Sequence, residues 1–410
     1  MKYFYIISPL LFIAFSCVPK PPQPETTPSP PIRVLLNETD QRDSLFFSGT
    51  YSLIAEEARY DFGRKNNKIY FRPLKRGFKI FNENRIFVFT SSDIIDFKPK
   101  DPESYFIYEG KKHTGKLTFY ISNKNSVAVM NTLPLEEYIK CVVPAEMPSK
   151  ERDNLEAVKA QAICARTYAL GRMRMRKDEA FDVYDDVRDQ VYKGFEYRTE
   201  YGDLAVNKTR GDVLMKGKNL ALTYYHSTCG GVLEDTIGTK KGKEDLEDKK
   251  TIRKDIIGDQ FACSISPRYR WTRRFTLRQL DSLFAARGKP SLYAKNPSDT
   301  VDIEMSVFIA KRKPTGRVER LGIRYGDQVL WLENYDIRKF LSTSGEGPLL
   351  SNLFLAHVEN DTMLVLEGGG YGHGAGMCQW GALYMSKKGF KYYDILVNKY
   401  YPGTYLKKVY

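Results

Sequence analysis

No CxxC and no HExxH pair occurs in the 410 residues, so the local ligand spacings of a dedicated metal site are missing, and no metal is expected. Beyond residue 17 no apolar run is long enough to span a bilayer. The Asp-dense stretch 181–194 (FDVYDDVRDQVYKG) has carboxylates enough to suggest Ca²⁺. It lacks the glycine and distal glutamate of a calcium-binding loop. Gly370 to Ala375 formally fits GxGxxA, but only 35 residues follow, and they read as helix to the end. A dinucleotide fingerprint needs a βαβ unit and an acidic residue on its next strand, so nucleotide binding is set aside and no cofactor is expected.

What is present suits a globular protein, with 42% apolar and 13% aromatic residues and length for two or three domains' worth of core. The formal charge of +14 favours a polyanionic partner: nucleic acid, an anionic membrane surface or an acidic glycan. The N-terminus narrows that choice. Lys2, the largely apolar run 3–15 and then Ala14-Phe15-Ser16-Cys17 read as an export signal over 1–17. The cysteine after Ala-Phe-Ser resembles the lipobox of bacterial lipoproteins, which makes Cys17 the expected lipidation site and the protein an exported, membrane-anchored lipoprotein facing the cell wall or periplasm. Export removes nucleic acid as a partner. Residues 18–31, with seven prolines and no aromatics, read as an extended tether.

Five further cysteines remain. Cys141, Cys164 and Cys378 lie in apolar or glycine-rich surroundings and read as core residues. Export permits a disulfide, and Cys229 with Cys263 is the expected pair.

Residues 133–170 organise the chain: two apolar-periodic segments joined by Val143-Pro144-Ala145-Glu146-Met147-Pro148. The two prolines disfavour helix upstream, which puts Glu146 on a short rigid loop. The second segment carries Leu155, Val158, Ala162, Ala165 and Ala169 at helical spacing, a small-residue helix packed closely on more than one side. Lys159, Gln161 and Arg166 interrupt its apolar surface and need partners. A structural ion pair of Glu146 with Lys159 or Arg166 is the plain reading.

Residue runs 32–36, 45–47, 68–71, 85–90, 105–108, 117–121 and 127–131 read as short strands, so 32–126 is a β-rich part. Further strands are expected at 220–225, ending in His226, and at 301–310, with a hairpin 317–324/328–333 around Gly326-Asp327. Residues 240–254 read as an exposed, charged excursion. Helices are expected at 275–286, 337–341, 383–388 and 392–400. The second informative stretch is GGGYGHGAGMCQWGA (368–382). Six glycines among 368–376 allow positive φ and close approach of backbone to a ligand, with His373 the one titratable ring there. His226 before a Gly-Gly turn is placed to face a cleft, and is equally ordinary as a surface histidine. The fold class is α+β, β-rich, with an Ala-rich buried helix carrying the active-site region and a C-terminal helical segment.

LPLEEYIKCVVPAEMP, EAVKAQAICARTYAL, DQVYKG, HSTCGG, TGRV and GYGHGAGMCQWGA occur in one order. Together they resemble the SpoIID/LytB family, whose sporulation member is a peptidoglycan lytic transglycosylase, over about residues 31–410. The resemblance makes 127–410 the catalytic region and Glu146 the catalytic acid/base. It implies that Lys159, Arg166 and His226 line a glycan cleft and that His373 falls in the family's glycine-rich signature; Gln161 and Tyr371 are further candidates for binding the substrate. The family's zinc-binding members carry two cysteines in the block matching 181–194, where this chain has Tyr184 and Asp189. The implied reaction cuts strands, denuded of stem peptides, between N-acetylmuramic acid and N-acetylglucosamine, leaving 1,6-anhydro-muramyl ends. One carboxyl suffices, because the muramic C6 hydroxyl attacks its own anomeric carbon. Cations beside Glu146 would oppose the raised pKa an acid needs, so Lys159 and Arg166 are assigned to the lactyl carboxylates of the glycan. Tyr371 and Trp380 are candidates for stacking on sugar faces and equally ordinary as packing residues. The family also includes non-catalytic wall binders and amidase modulators, so an N-acetylmuramoyl-L-alanine amidase is a candidate partner.

Overall fold

The computed structural model describes residues 27–55, 58–63, 67–234, 252–291, 304–343 and 345–410. The expected export signal, Cys17, the tether up to residue 26 and most of the 240–254 excursion lie outside these residues. Pro31, expected to end the tether, already begins a strand.

The fold is α+β and rich in strand. A seven-stranded sheet runs in the order Val183–Tyr184, Pro31–Thr39, Val127–Pro134, Lys116–Ile121, Ile95–Pro99, Tyr51–Ala55 and Ala58–Phe62. A six-stranded antiparallel sheet is built from Lys111–Thr114, Tyr105–Tyr108, Asp43–Ser48, Lys68–Leu74, Gly77–Phe81 and Ile86–Phe89. Alternating aromatic residues face inward from both: Phe47 stacks on Tyr51 at 4.7 Å, and Phe71 meets Phe119 at 4.8 Å. Their core continues without a break into two helices, α1 (Leu135–Glu146) and α2 (Leu155–Met175). Helix α3 (Glu200–Lys208) packs on both.

Helix α2 explains its own composition. Ala157, Ala160, Ala162, Ala165 and Ala169 are all buried, and α1, α3 and the C-terminal helix approach it on different sides. A helix enclosed this way needs small residues where axes come close. Its one buried cation, Arg166, forms a bidentate pair with Glu136 of α1 at 2.7 and 2.8 Å. It also donates to the carbonyls of Asp212 and Val206.

A second core lies between the sheet Arg270–Thr276/Met363–Gly369/Phe354–Glu359 and the sheet Met305–Arg312/Val318–Tyr325/Gln328–Glu333. Helices α4 (Leu277–Ala285) and α5 (Tyr335–Phe340) cover it. The chain then returns to the first core through α6 (Gln379–Lys387), a π-helical turn Asp394–Tyr400 and an edge strand Tyr405–Lys408.

Four expectations need correction. Phe275 belongs to the strand Arg270–Thr276, whose last residue, Thr276, caps the helix after it through a Thr276/Gln279 capping box. Residues 221–224 are not strand; only Asn219–Leu220 and Tyr225–His226 pair. The last residues are not helix, because Tyr405–Lys408 finds Asp212–Lys216 as a strand partner. Glu146 is not on a loop: α1 runs through Pro144 and ends at Glu146. Pro144 falls in the last turn, where the ring forfeits a single hydrogen bond while buried Tyr138, Ile139, Val142 and Val143 hold the helix down.

Replacing Arg166 by Ala is expected to cost about 3–5 kcal/mol in urea unfolding, because it strands the Glu136 carboxylate in the interior. The pair holds the Glu136 carboxyl below its usual range despite burial. Its stabilisation is therefore full above the ordinary carboxylate pKa and fades as pH falls through the lowered one.

Candidate active site

The carboxylate of Glu146 emerges at the C-terminus of α1, half-buried, with Met147 leaving in extended conformation. Its Oε1 accepts the backbone N–H of Val191 at 2.9 Å. The side chains of Gln379 and Tyr225 also hydrogen-bond to it. All three partners are neutral.

Each donor is held by a buried network. Val191 belongs to DQVYKG, and the buried Asp189 anchors that loop through Arg172, Arg176, the Tyr168 hydroxyl and the Tyr184 N–H. Gln190 donates to the Tyr225 hydroxyl at 3.0 Å and accepts from Tyr138 at 3.3 Å. With Tyr225 oxygen already an acceptor, its own O–H is free to point at Glu146. Gln379, first residue of α6, donates to Gln161 of α2 at 3.3 Å.

Burial pushes the Glu146 carboxyl above the usual range; the three donors and the more distant Lys193 only partly oppose this. The negative end of the α1 dipole acts in the same direction. A carboxyl raised in this way keeps its proton to higher pH than an ordinary glutamate, which is what a general acid requires.

The cations expected near Glu146 are engaged elsewhere. Lys159 bonds Glu156 at 2.7 Å and Arg166 is sealed in the interior with Glu136. Neither the structural ion pair with Glu146 nor the role of Arg166 as a glycan-facing cation survives: Arg166 has no exposed surface. Gln161 is likewise fully buried and reaches Glu146 only through Gln379.

The two histidines meet at the junction between the HSTCGG and GYGHGAG segments, ring centroids 5.5 Å apart and planes tilted by 60°. His226 is buried, with Nδ1 3.0 Å from the Ala375 carbonyl, so that nitrogen carries the proton and Nε2 is left without a partner. His373 reaches solvent yet sits in dense surroundings: Nε2 donates to the Tyr225 carbonyl, and Nδ1 accepts the Ala375 N–H. Burial lowers both, His373 to about 4, so both are neutral at pH 7. Tyr371 is exposed, with the Arg268 guanidinium 5.0 Å from its ring centre, whereas Trp380 is packed against the core.

A pocket of ≈ 140 Å³ begins at His373 and is lined by Lys313, Arg317, Tyr335 and Arg338; Glu146 is not in its wall. The two sites adjoin through Tyr225, whose hydroxyl bonds Glu146 and whose carbonyl bonds His373.

Tyr225, Gln190, Gln379 and the Val191 N–H were missed in the sequence. The available signal was a glutamine or tyrosine embedded among apolar residues within the short motifs themselves. The 181–194 block does not fit the family's zinc: Tyr184 offers no thiolate, and Asp189 is consumed by two arginines.

A single partly buried carboxyl on an α+β scaffold, held by neutral donors, thus lies beside a basic pocket. Residues 123–215 match the family described as "Stage II sporulation protein" (SpoIID), and residues 226–376 match a domain of unknown function (DUF8618). An uncharacterized protein of Brachyspira hyodysenteriae is 30% identical over 302 residues, 73% of each chain. The amidase enhancer of Bacillus subtilis is 28% identical over 65% of this chain and 40% of its own length. Stage II sporulation protein D of the same organism is 26% identical over 68% of this chain and 76% of its own. The chain belongs to the SpoIID family.

Because the folded state raises the Glu146 pKa, ionising that group destabilises the fold as pH rises from the unfolded value through the folded one. Glu146→Gln is therefore expected to melt at higher temperature than the wild type at pH 7. The difference should close below about pH 4, where Glu is protonated in both states; thermal unfolding followed by circular dichroism at both pH values checks this.

Proposed function

We propose that the protein is a lytic transglycosylase acting on peptidoglycan strands freed of stem peptides. The observation that carries this reading is the half-open Glu146 carboxyl, raised in pKa and free of any cationic partner in hydrogen-bonding contact. Glu146 donates its proton to the glycosidic oxygen between N-acetylmuramic acid and N-acetylglucosamine. The muramic C6 hydroxyl then attacks its own anomeric carbon and returns its proton to the Glu146 carboxylate, closing the 1,6-anhydro ring. Val191 N–H, Tyr225 and Gln379 stabilise the carboxylate between those two transfers.

Lys313 and Arg338 of the neighbouring pocket take over the role expected of Lys159 and Arg166, receiving the lactyl carboxylates. Tyr371 and His373 border the strand's path, and His226 fixes the loop beneath it. The charge of +14 favours residence at an anionic polymer. Family membership supports a role at the cell wall, and export with lipidation at Cys17 would hold the enzyme there. Among the described residues no helix is long and apolar enough to cross a membrane.

The amidase enhancer among the relatives favours one second reading: a wall-binding protein that modulates an amidase without cutting glycan. Denuded glycan incubated with wild type and Glu146→Gln separates the two. The enzymatic reading expects anhydro-muramyl ends from the wild type, with the rate reduced about 10²–10⁴-fold in the variant. Equal glycan retention by both with no product supports the modulator instead. Lys313→Ala is expected to raise KM several-fold with kcat nearly unchanged, as loss of a uniform binding contact should; steady-state kinetics on the same glycan reads both.

A further inference from the structure

Four ligand-type side chains from four separate segments meet just behind Gln379. Cys229 Sγ lies 3.4 Å from Cys263 Sγ and 3.3 Å from Asp255 Oδ2, and Cys378 completes the group. One donor atom from each residue falls within a cluster no more than 4.8 Å across, and all four residues are buried. Cys229 and Cys263, the expected disulfide pair, do come together, but their sulfurs are unbonded, as are all the cysteines among the described residues. These four residues share no local ligand spacing in the sequence and converge only in space.

We propose that Cys229, Asp255, Cys263 and Cys378 form a structural zinc site. Tetrahedral zinc, with Zn–S near 2.3 Å and Zn–O near 2.0–2.2 Å, sets sulfur donors about 3.8 Å apart and a sulfur–oxygen pair about 3.5–3.7 Å apart. The closest approaches here, 3.4 Å between sulfurs and 3.3 Å from sulfur to oxygen, are a few tenths of an ångström shorter, so the donors move slightly apart to admit the ion. Four protein ligands fill the coordination sphere and leave no open position, which marks the site as structural rather than catalytic.

The surroundings are those of a ligated cluster rather than a set of core thiols. The Cys229 N–H points at Cys378 Sγ and the Gly231 N–H at Cys229 Sγ, each at 3.3 Å, as donors to thiolates. Asp255 has no exposed surface. Its Oδ1 accepts the Tyr400 hydroxyl at 3.1 Å and lies 3.8 Å from Lys399 Nζ, which fixes the carboxylate with Oδ2 toward the sulfurs. Gly381 makes room for this arrangement: a Cβ there would come within 2.6 Å of Asp255 Oδ2 and 2.1 Å of the Tyr400 hydroxyl. Arg317 donates to the Cys229 carbonyl, while its Nε and Nη1 are buried without hydrogen-bond partners. Three thiolates and a carboxylate around Zn²⁺ leave two negative charges, which Arg317 and Lys399 oppose. A divalent ion would hold all four ligands in their deprotonated forms.

The metal would fasten the HSTCGG segment, the turn Ala262–Ile265 and the start of α6 to one another. Cys378 immediately precedes Gln379, so the ion anchors one of the donors to Glu146 without touching the reacting groups.

The test uses the full chain, expressed with zinc and purified reduced without chelator. About one zinc per chain is expected by elemental analysis. Adding Co²⁺ to stripped, reduced protein should give thiolate-to-cobalt charge-transfer bands and the intense visible bands of a tetrahedral site. Cys378→Ser and Asp255→Asn should each weaken zinc binding on the order of tenfold or more against a chromophoric chelator, whereas Cys141→Ser and Cys164→Ser should bind like the wild type. Stripping should lower the melting temperature by about 10 °C, and zinc should restore it. Metal-free protein with a Cys229–Cys263 disulfide in the peptide mass spectrum would overturn the proposal. So would undiminished binding by both ligand variants. If those variants misfold, the wild-type cobalt spectrum decides, and the lack of thiolate bands refutes the site.

Discussion

The structure depends on keeping positive charge away from one carboxyl group. Glu146 ends a helix whose dipole disfavours its ionised form, in surroundings that bury it on one side, and its hydrogen bonds come from a backbone amide, a phenol and a carboxamide. A guanidinium in their place would hold the group ionised, as Arg166 does for Glu136 only ten positions earlier in the same helix. The two glutamates of α1 show how partner choice sets one carboxyl below and the other above its usual range.

Much of the surrounding architecture neutralises cations before they reach the site. Arg172 and Arg176 at the end of α2 close on Asp189, Lys159 closes on Glu156, and Lys111 closes on Asp185. The Asp-rich block that resembled a calcium loop is thus a set of counter-ions: Asp182 takes Arg33, and Asp186 takes Arg188. The same pairing shapes the loop that delivers the Val191 amide. The adjoining pocket gathers further positive charge from Lys313, 3.8 Å from Glu234, and from Arg338, whose Nε donates to the Leu349 carbonyl.

Elements whose periodicity and boundary residues agree were legible in the sequence. The hairpin Val318–Tyr325/Gln328–Glu333 turns at Gly326-Asp327 as its alternation predicts, and α2 is the closely packed helix its alanines imply. Pro144 misled because local preference for a break yielded to the packing of Val142 and Val143. Phe275 misled because a strand residue and a helix face presented one continuous apolar pattern, although Thr276 and Gln279 mark the cap. Of the site, Glu146 was legible from its motif, but its partners were not. Val191 acts through a backbone amide, which no side-chain pattern announces, and Gln379 lies 233 positions away. The Cys229, Asp255, Cys263 and Cys378 cluster was hidden for the same reason: its members share no spacing and meet only after both cores have formed.

The most direct measurement is the titration of Glu146 itself. Protein carrying ¹³C-carboxyl glutamate, compared with a Glu146→Gln sample to assign the missing resonance, reports that group's protonation against pH. A midpoint clearly above the ordinary glutamate value is the predicted result; a midpoint at or below it would contradict a protonated acid at this position.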